Sequence, residues 1–492
     1  MKRKNKRQEK AYQPLKKAWD APLFWKAVLL CFVTFIAFIP ALKGGFIWDD
    51  NGYIIQNPTL RNSNGLRQIW FSPGSTTQYY PVLFTLFRIE YQIWGLNPFG
   101  YHLVNIILHI LNTVILLILL RHLNVPGSLL IAAVFSVHPI HVESVAWICE
   151  LKDVLSGFFF LLTLYFWLEY EKNGKWAHYG GSLVLFLLAI FSKTAVTPLP
   201  ALLFLWILFK KRGNSPRQFL FIAPFFLISL VSGLHHSILE VKNIGDASGD
   251  VNFTIWQRLY IAGRGFWFYP MKIIWPSPLL PIYPRWELGG AKIVNVLWPF
   301  SVAAFLFLLW MLRNRIGIIP FAGVTFYTVM ILPALGIVSQ AFYRFSFTAD
   351  HFQYLAGIGI MTAIIVPFYD LYKKYQFYLK QVVPVFSGML LITLVILTWR
   401  HNIVFQSNES LWKHAISHNR EAFVAYHNLA HSMIQRNKQS EAITLYQEAI
   451  RANPDYKDAR LGLGVLLIDM ERYDESIKVY RDAIDLHQDF AP

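Results

Sequence analysis

The sequence predicts an all-α membrane protein in which a bundle of about eleven membrane-spanning helices is followed by a short helical repeat. Of the 492 residues, 55% are apolar and only 15% are charged, whereas soluble domains carry about 25% charged residues. The apolar residues form runs long enough to cross a bilayer, and a repeat period follows after residue 400. This composition excludes a soluble enzyme and a disordered chain. The two cysteines, Cys31 and Cys149, are too few for a disulfide scaffold.

The spans follow from length. A helix needs about 20 apolar residues to cross roughly 30 Å of hydrocarbon at about 1.5 Å per residue. Stretches that meet this requirement are 24–42, 102–121, 128–147, 152–170, 178–194, 196–210, 217–235, 292–312, 317–337, 351–370 and 380–400. We therefore expect a transmembrane domain over residues 24–402.

The orientation follows from the basic residues, which give the chain its formal net charge of +16. They are concentrated in alternate connecting segments: Lys2–Lys17, Lys172/Lys175, Lys210–Arg217, Arg313/Arg315 and Lys373–Lys380. Basic loops mark the cytoplasmic side, so residues 1–23 form a cytoplasmic N-terminus and the long first loop, 43–101, lies outside. The first apolar run is expected to be a retained anchor because no small-x-small cleavage site follows it. Charges in short loops indicate topology rather than nucleic-acid binding.

Segment 254–276 is apolar but contains Arg258, Arg264 and Lys272. Counting this segment as a span would place the later basic loops outside and violate the charge rule. We therefore expect an interfacial or re-entrant helix on the outer side. The C-terminal tail then lies outside as well.

The tail, residues 403–492, has the pattern of a tetratricopeptide repeat (TPR). Matching residues lie 34 positions apart: Leu429/Leu463, Ala430/Gly464, Tyr446/Tyr480 and Ala449/Ala483. This period is typical of TPR helix pairs. A half repeat with Trp412 and Ala415 precedes the two full repeats, and we expect it to dock the tail on the membrane domain. The tail acts either as a stability cap or as a peptide-binding groove.

One polar stripe runs along the second span. Its side chains recur at helical spacing: His102, Asn105, His109 and Asn112. Polar groups inside a membrane face the bundle or a wet cavity. We interpret the stripe as hydrogen bonding between helices rather than as part of a catalytic site.

Several segments together resemble a known family. They read FIWDDNGYIIQNP, IWGLNPFGYHLVNIILHILN, HPIHVESVAWICELKDVLSGFFFLLTLYFW, FSKTAVTPLPALLFL and TADHFQYLAGIG, in this order and followed by the repeats. This set is similar to bacterial TPR-tailed relatives of the TMTC O-mannosyltransferases, which are GT-C glycosyltransferases. The resemblance implies a bacterial inner-membrane enzyme that takes a sugar from a polyprenyl-phosphate carrier. It also implies that an acidic residue of the first outer loop serves the chemistry.

The acidic pair Asp49-Asp50 is the candidate for that role. Adjacent carboxylates repel each other, and partial desolvation raises the pKa of one of them. We predict that Asp49 is the base that deprotonates the acceptor hydroxyl and that Asp50 orients it or contacts the acceptor. An ordinary Asp-Asn turn is the structural alternative.

The leaving phosphate calls for cations at the outer ends of spans. The candidates are Lys152, Lys193, Arg344 and His351. His351 stands where the resembling family has an arginine, and Arg344 is its alternative. Basic side chains that snorkel to lipid headgroups would show the same pattern.

Five further residues are predicted to shape the pocket: His138, His141, Glu143, Tyr79 and Tyr80. His-x-x-His-x-Glu could supply three metal ligands, but Pro139 argues for a turn. The aspartate pair also lacks the one-residue separation of metal-binding aspartates in soluble glycosyltransferases. We therefore expect no catalytic metal and no other cofactor.

These observations predict an inverting glycosyltransferase that uses a polyprenyl-phosphate-linked monosaccharide at the outer face. The expected acceptor is a Ser or Thr hydroxyl of a protein, presented by the tail. Two alternatives stay open: the same donor with a lipid or polysaccharide acceptor, or a non-catalytic membrane scaffold that recruits proteins through its repeats.

Overall fold

The computed structural model describes residues 21–209, 216–244, 252–288, 293–337 and 340–486. Within these ranges the chain is helical and contains no β-strand, which confirms the predicted all-α class. Residues 1–20 of the basic N-terminus lie outside the described residues. Most of the predicted basic loop 210–217 lies outside them as well.

The membrane domain contains α1 (Ala21–Phe38), α2 (Gly65–Phe71), α3 (Pro81–Trp94), α4 (Pro98–His122), α5 (Ser128–Val137), α6 (Val142–Ala146), α7 (Leu151–Asn173), α8 (Trp176–Ile190), α9 (Leu199–Phe209), α10 (Pro216–Leu220), α11 (Ala223–Ile244), α12 (Ile255–Ile274), α13 (Ile293–Ile316), α14 (Ile318–Ile331), α15 (Gly357–Lys374), α16 (Gln376–Leu379) and α17 (Val382–Val404). The tail contains α18 (Asn408–His418), α19 (Phe423–Ile434), α20 (Gln439–Ala452), α21 (Lys457–Asp469) and α22 (Tyr473–Leu486).

Each of the eleven predicted stretches overlaps one or two α-helices of the described chain. In the described part of the chain, six helices are long and apolar enough to cross a membrane: Leu23–Lys43, Pro98–His122, Ile148–Asn173, Gln218–Leu239, Val296–Ile316 and Val382–Val404. Three shorter apolar helices are Trp176–Ile190, Thr194–Phe209 and Ile318–Ala334. The chain is therefore an integral membrane protein.

The stretch 128–147 is not one straight helix as predicted. Helix α5 ends at Val137, and the chain bends by 51° before it continues through Pro139–Ala146. Pro139 causes the break because its ring disfavours a helical conformation at the preceding residue. His138 accordingly has an extended backbone, with φ −75° and ψ 129°. Ten residues of α5 rise only about 15 Å, half of a bilayer core.

The predicted second outer loop is buried rather than exposed. Every residue from 131 to 157 is buried, so the segment 138–150 lies inside the domain. Side chains of the α4 stripe hold its backbone. The Asn105 amide Nδ2 lies within hydrogen-bonding distance of three carbonyls, the closest being that of Val145 at 3.2 Å. Asn112 Nδ2 donates to the Val154 carbonyl at 2.8 Å and to the Tyr354 hydroxyl at 2.9 Å.

Two further contacts of the stripe complete this picture. His109 Nδ1 lies 2.9 Å from the same Tyr354 hydroxyl, and His109 Nε2 lies 3.1 Å from the Ser136 carbonyl. The polar residues of α4 thus bind neighbouring segments of the bundle. This confirms the predicted hydrogen bonds between helices for Asn105, His109 and Asn112.

Helix α12 is the segment for which the sequence predicts an interfacial or re-entrant helix. The side of the bundle at which α1 ends and α7 begins is assigned to the outside by the charge rule, and we call it the predicted outer face. The first turn of α12 is closed by a capping box between Thr254 and Gln257. Near this end, Arg258 donates to the Gly336 carbonyl that follows α14, at 3.1 Å. Near the other end, the Ile273 carbonyl lies 2.9 Å from His138 Nε2. Both ends of α12 therefore contact segments on the predicted outer face.

The half repeat docks on the membrane domain, as the sequence predicts. After α17, the Gln406 carbonyl accepts from the Gly45 N–H at 3.0 Å. His414 Nε2 lies 2.9 Å from the Leu279 carbonyl, and Asn419 Nδ2 donates to the Ile282 carbonyl at 3.3 Å. The tail therefore sits against the first outer loop and against the segment that follows α12.

Candidate active site

Asp50 connects the first outer loop to the buried segment. Its carboxyl group is fully buried, and one oxygen accepts from the Ile47 N–H at 2.8 Å. The other oxygen accepts from the Cys149 N–H, also at 2.8 Å. Burial raises the pKa of Asp50, and these two N–H donors oppose that rise. With both oxygens occupied, Asp50 is placed to hold the loop rather than to exchange protons with a substrate.

Asp49 has the opposite environment. Its side chain is exposed, and no described residue donates a hydrogen bond to its carboxylate. Surrounding protein atoms nevertheless desolvate the carboxyl group and raise its pKa to about 6; Lys152 lowers the pKa and Glu150 raises it. A carboxylate with a pKa near neutrality is suited to act as a general base. The structure thus separates the two adjacent aspartates into an anchored residue and an accessible one.

Four charged residues form a buried cluster beside this loop: Glu150, Lys152, Asp153 and Lys193. We call them the lysine–carboxylate cluster. Glu150 ends a one-turn helix just before α7. Lys152 and Asp153 lie in the first turn of α7, and Lys193 follows α8. Lys152 Nζ lies 2.9 Å from one Glu150 oxygen, and Lys193 Nζ lies 3.1 Å from the other.

The two lysines differ in their partners. Lys193 Nζ also contacts Asp153 Oδ1 at 2.6 Å, so it is held between two carboxylates. Among the described residues Lys152 has one carboxylate partner, and its ammonium group lies 5.1 Å from the centre of the Tyr53 ring. Buried charges are tolerated when they are paired in this way. The predicted phosphate-binding lysines therefore meet in one place, but neither is an isolated cation.

His351 joins the same cluster from the segment before α15. Its backbone N–H donates to Glu143 Oε2 at 3.0 Å, and its Nδ1 lies 3.1 Å from Glu143 Oε1. Its Nε2 lies 4.0 Å from Glu150 Oε1. The predicted phosphate residue His351 and the predicted pocket residue Glu143 are thus direct partners.

Arg344 lies elsewhere. Its guanidinium group stands over the Phe345 ring, 5.4 Å from the ring centre. It is close enough to Tyr456 of the tail to lower the pKa of that phenol, which burial raises overall. No described contact joins Arg344 to the lysine–carboxylate cluster. Of the four predicted cations, the structure brings together Lys152, Lys193 and His351.

The predicted pocket histidines contact protein groups. His138 Nδ1 accepts from the Ile140 N–H at 3.2 Å, in addition to the contact of its Nε2 with α12. His141 packs against Phe135, with ring centres 4.6 Å apart, and against Tyr354 at 5.1 Å. In the described ranges, no three His, Cys, Asp or Glu side chains are grouped as metal ligands.

The predicted tyrosines of the first loop lie on the α8–α11 side of the site. The Tyr80 hydroxyl is 3.2 Å from Thr194 Oγ1, next to Lys193 in the chain. Tyr79 donates to the Trp70 carbonyl at 2.9 Å, and its ring contacts His235 edge-on. Tyr80 therefore borders the cluster through Thr194, whereas Tyr79 contacts Trp70 and α11.

The sequence reasoning missed several residues that the site contains. Glu150 and Asp153 have no role among the predicted site residues, although charged groups at the start of an apolar helix are a signal of function. The Tyr283 hydroxyl lies 2.9 Å from one Asp350 oxygen and 3.1 Å from the other, and no spacing in the sequence indicates this pair. Tyr283 belongs to the segment after α12 and thus links that segment to the site.

An apolar cavity of about 550 Å³ lies deeper in the bundle. Its lining comes from α4, α7, α9, α14 and α15 and includes Leu161, Leu203 and Ile358. Leu161 is eight residues beyond Asp153 on α7, or about 12 Å along the helix axis. The cavity therefore begins about two helical turns from the lysine–carboxylate cluster.

Comparison with known proteins agrees with this architecture. Residues 78–235 match the family described as dolichyl-phosphate-mannose-protein mannosyltransferase, and residues 433–492 match the tetratricopeptide repeat. The chain is 25% identical to protein O-mannosyl-transferase TMTC4 of Homo sapiens, over 86% of this chain and 66% of the relative. The chain resembles the TMTC O-mannosyltransferases. The resemblance expected from the motifs, a TPR-tailed GT-C glycosyltransferase, is confirmed.

Two other relatives show how this likeness is distributed. Protein O-mannosyl-transferase Tmtc3 of Drosophila melanogaster is 22% identical, over 92% of this chain and 58% of the relative. Protein O-mannosyl-transferase TMTC1 of Homo sapiens is 33% identical, but over 32% of this chain and 19% of the relative. The chain thus spans less than two thirds of the length of these curated relatives. No solved structure matches it.

Proposed function

We propose that the protein transfers a monosaccharide from a polyprenyl-phosphate carrier to an acceptor hydroxyl, with Asp49 as the base. The observation that carries this proposal is the accessible Asp49 carboxylate, with its raised pKa, beside the lysine–carboxylate cluster. The TMTC relatives, which are named protein O-mannosyl-transferases, favour a Ser or Thr hydroxyl of a protein as the acceptor. We place the reaction on the outer face of a bacterial inner membrane.

The proposed step is an inverting displacement. Asp49 takes the proton of the acceptor hydroxyl while the hydroxyl oxygen attacks C1 of the sugar. The bond between C1 and the phosphate oxygen breaks, and polyprenyl phosphate leaves with the bonding electrons. The acceptor approaches from the face opposite the phosphate, so the configuration at C1 inverts.

The lysine–carboxylate cluster supplies positive charge to the leaving phosphate. We propose Lys152 as the residue that contacts the phosphate, since among the described residues it has one carboxylate partner and its charge lowers the pKa of Asp49. Lys193 is held by two carboxylates, and we propose that it fixes the positions of Glu150 and Asp153 beside Lys152. A cation already positioned in a buried site stabilises developing charge without reorganisation.

The lipid part of the donor needs an apolar space near the same site. The 550 Å³ cavity between α7, α9 and α15 has the lining that an isoprenoid chain requires. We propose that part of the carrier chain enters this cavity while its phosphate stays at the cluster.

The test is Asp49→Asn in proteoliposomes that contain a mannosyl-phosphate polyprenol and a Ser/Thr peptide. General-base catalysis contributes about 10²–10⁴-fold, so transfer should fall by at least about a hundredfold. Asp370→Asn, an exposed aspartate at the end of α15, is the matched control and should keep wild-type activity. The assay is run with EDTA, because we propose that no divalent metal takes part.

Two outcomes would contradict the proposal. Unchanged transfer by Asp49→Asn would remove Asp49 as the base. An inactive wild type that still binds proteins through its repeats would favour the scaffold alternative. Transfer to a lipid or polysaccharide, but not to the peptide, would keep the donor chemistry and change the acceptor.

A further inference from the structure

Trp48, the residue before Asp49, has an unusual backbone conformation. Its φ is +46°, in the left-handed region that bulky side chains rarely occupy. Such a conformation is strained and persists only when the surrounding structure holds it. The contacts that hold Trp48 therefore bear on the position of Asp49.

Two of these contacts come from the tail. The Trp48 N–H donates to the side-chain oxygen of Asn408 at 2.9 Å, and Asn408 is the first residue of α18. The Trp48 ring meets the fully buried Trp412 ring edge-on, with ring centres 4.8 Å apart. On its other side the Trp48 ring stacks on Trp147 at 4.7 Å, with the planes 9° apart.

The two neighbours of Asp49 are thus held by different domains. Asp50 is fixed by hydrogen bonds from Ile47 and Cys149 within the membrane domain. Trp48 is fixed by one residue of the buried segment and by two residues of the tail. Between these two anchors, the Asp49 backbone has little freedom, while its carboxylate remains accessible.

We propose that α18 of the tail positions the first outer loop: Asn408 and Trp412 hold Trp48 in its left-handed conformation and so place the Asp49 carboxylate for proton transfer. This inference rests on the proposed function. It gives the tail a second role besides acceptor presentation. Asn408 and Trp412 are positioning residues, because they act on the reaction through Trp48.

The positioning role of the tail can be distinguished from acceptor binding by its separate effects on kcat and KM. An acceptor as short as a pentapeptide does not need the repeats for binding, so loss of positioning lowers kcat and leaves KM nearly unchanged. Misplacement of a reacting group by about 1 Å can cost about a hundredfold in rate. Loss of acceptor binding by the tail would instead raise KM for long acceptors.

The test compares variants of the full-length protein in proteoliposomes. Asn408→Ala should lower kcat for the pentapeptide by about tenfold or more. Asn408→Asp keeps an acceptor oxygen and should restore kcat to within about threefold of wild type. His414→Ala, which removes a tail contact with the Leu279 carbonyl but none with Trp48, is the matched control and should keep kcat.

A double-mutant cycle separates positioning from general damage to the fold. Glycine adopts a positive φ without steric cost, so Trp48→Gly should make Asn408 less important. Adding Asn408→Ala to Trp48→Gly should then change kcat by less than about twofold. A merely structural role of Asn408 would give the same loss in both backgrounds.

Three results would overturn the inference: equal losses of kcat in Asn408→Ala and His414→Ala, an unchanged kcat in Asn408→Ala, or the same loss from Asn408→Ala in the wild-type and Trp48→Gly backgrounds. Each of these results bears on the inference only when transfer by the wild type depends on Asp49. If the wild type shows no transfer, or if Asp49→Asn retains it, the proposed function itself has failed. The two failures are therefore distinguishable in one set of assays.

Discussion

Replacing Lys193 by methionine tests whether the lysine–carboxylate cluster is held together as the structure indicates. Lys193 is 9% exposed, and its ammonium group lies 3.1 Å from Glu150 and 2.6 Å from Asp153. Lys193→Met removes this cation and leaves Asp153 without its ammonium partner, although the Ser144 hydroxyl still donates to it at 3.1 Å. Breaking a buried ion pair on one side costs about 3–5 kcal/mol, so we expect the free energy of unfolding to fall by about that amount.

Lys152→Met is the matched comparison, because it removes the other lysine of the same cluster. Glu150 keeps Lys193 when Lys152 is lost, so the expected cost in stability is smaller, about 1–3 kcal/mol. For activity we expect the opposite order, with a larger loss in Lys152→Met than in Lys193→Met. Lys152→Met should lower kcat by about a hundredfold, because it removes the proposed phosphate contact.

The assay is the midpoint of thermal unfolding in detergent micelles, followed by transfer activity at a temperature where each variant is folded. Asp153→Asn in the Lys193→Met background removes the unpaired carboxylate and should recover part of the lost stability. Equal stability of Lys193→Met and wild type would refute the described pairing. A larger stability loss in Lys152→Met than in Lys193→Met would refute the assignment of the two lysines.

Two further predictions follow from the same site. Desolvation raises the pKa of Asp49 to about 6, and the base acts when deprotonated; kcat/KM should therefore be constant above pH ~7 and fall about tenfold per unit well below pH ~6. A profile that stays flat to pH ~5 would contradict this assignment. Asn112→Leu removes the donors to the Val154 carbonyl and the Tyr354 hydroxyl and should lower the unfolding free energy by about 1–3 kcal/mol. Thermal unfolding in micelles measures the loss, and Ile107→Ala, an exposed position on the same helix, is its control.

The spans and the repeats could be predicted because their signals are local. A run of about 20 apolar residues specifies a span wherever it occurs, and the small residues of the tail mark crossings of paired helices. Gly464 shows this directly, since a Cβ there would lie 2.4 Å from the Tyr480 ring. The break at His138-Pro139 was also readable in the sequence, but the bend direction and the burial of the segment behind it were not.

The candidate site was predicted less completely. Asp49, Lys152, Lys193 and His351 could be named as candidate site residues, because charged groups at the ends of spans are a signal of function. Their partners could not be named. Whether a lysine is free or held between carboxylates depends on contacts such as that of Lys193 with Glu150, 43 positions apart in the chain.

The amino-acid sequence alone determined the membrane class, the order of the helices, the repeat tail and the group of polar residues from which a site is built. These follow from hydropathy and periodicity, which each segment carries without reference to the rest. Tertiary structure decided which aspartate is anchored and which is accessible, and it brought Asn408 to the backbone of Trp48, 360 positions away. The physical reason is that the burial, pairing and strain of a side chain depend on neighbours that are distant along the chain and meet only when the helices pack.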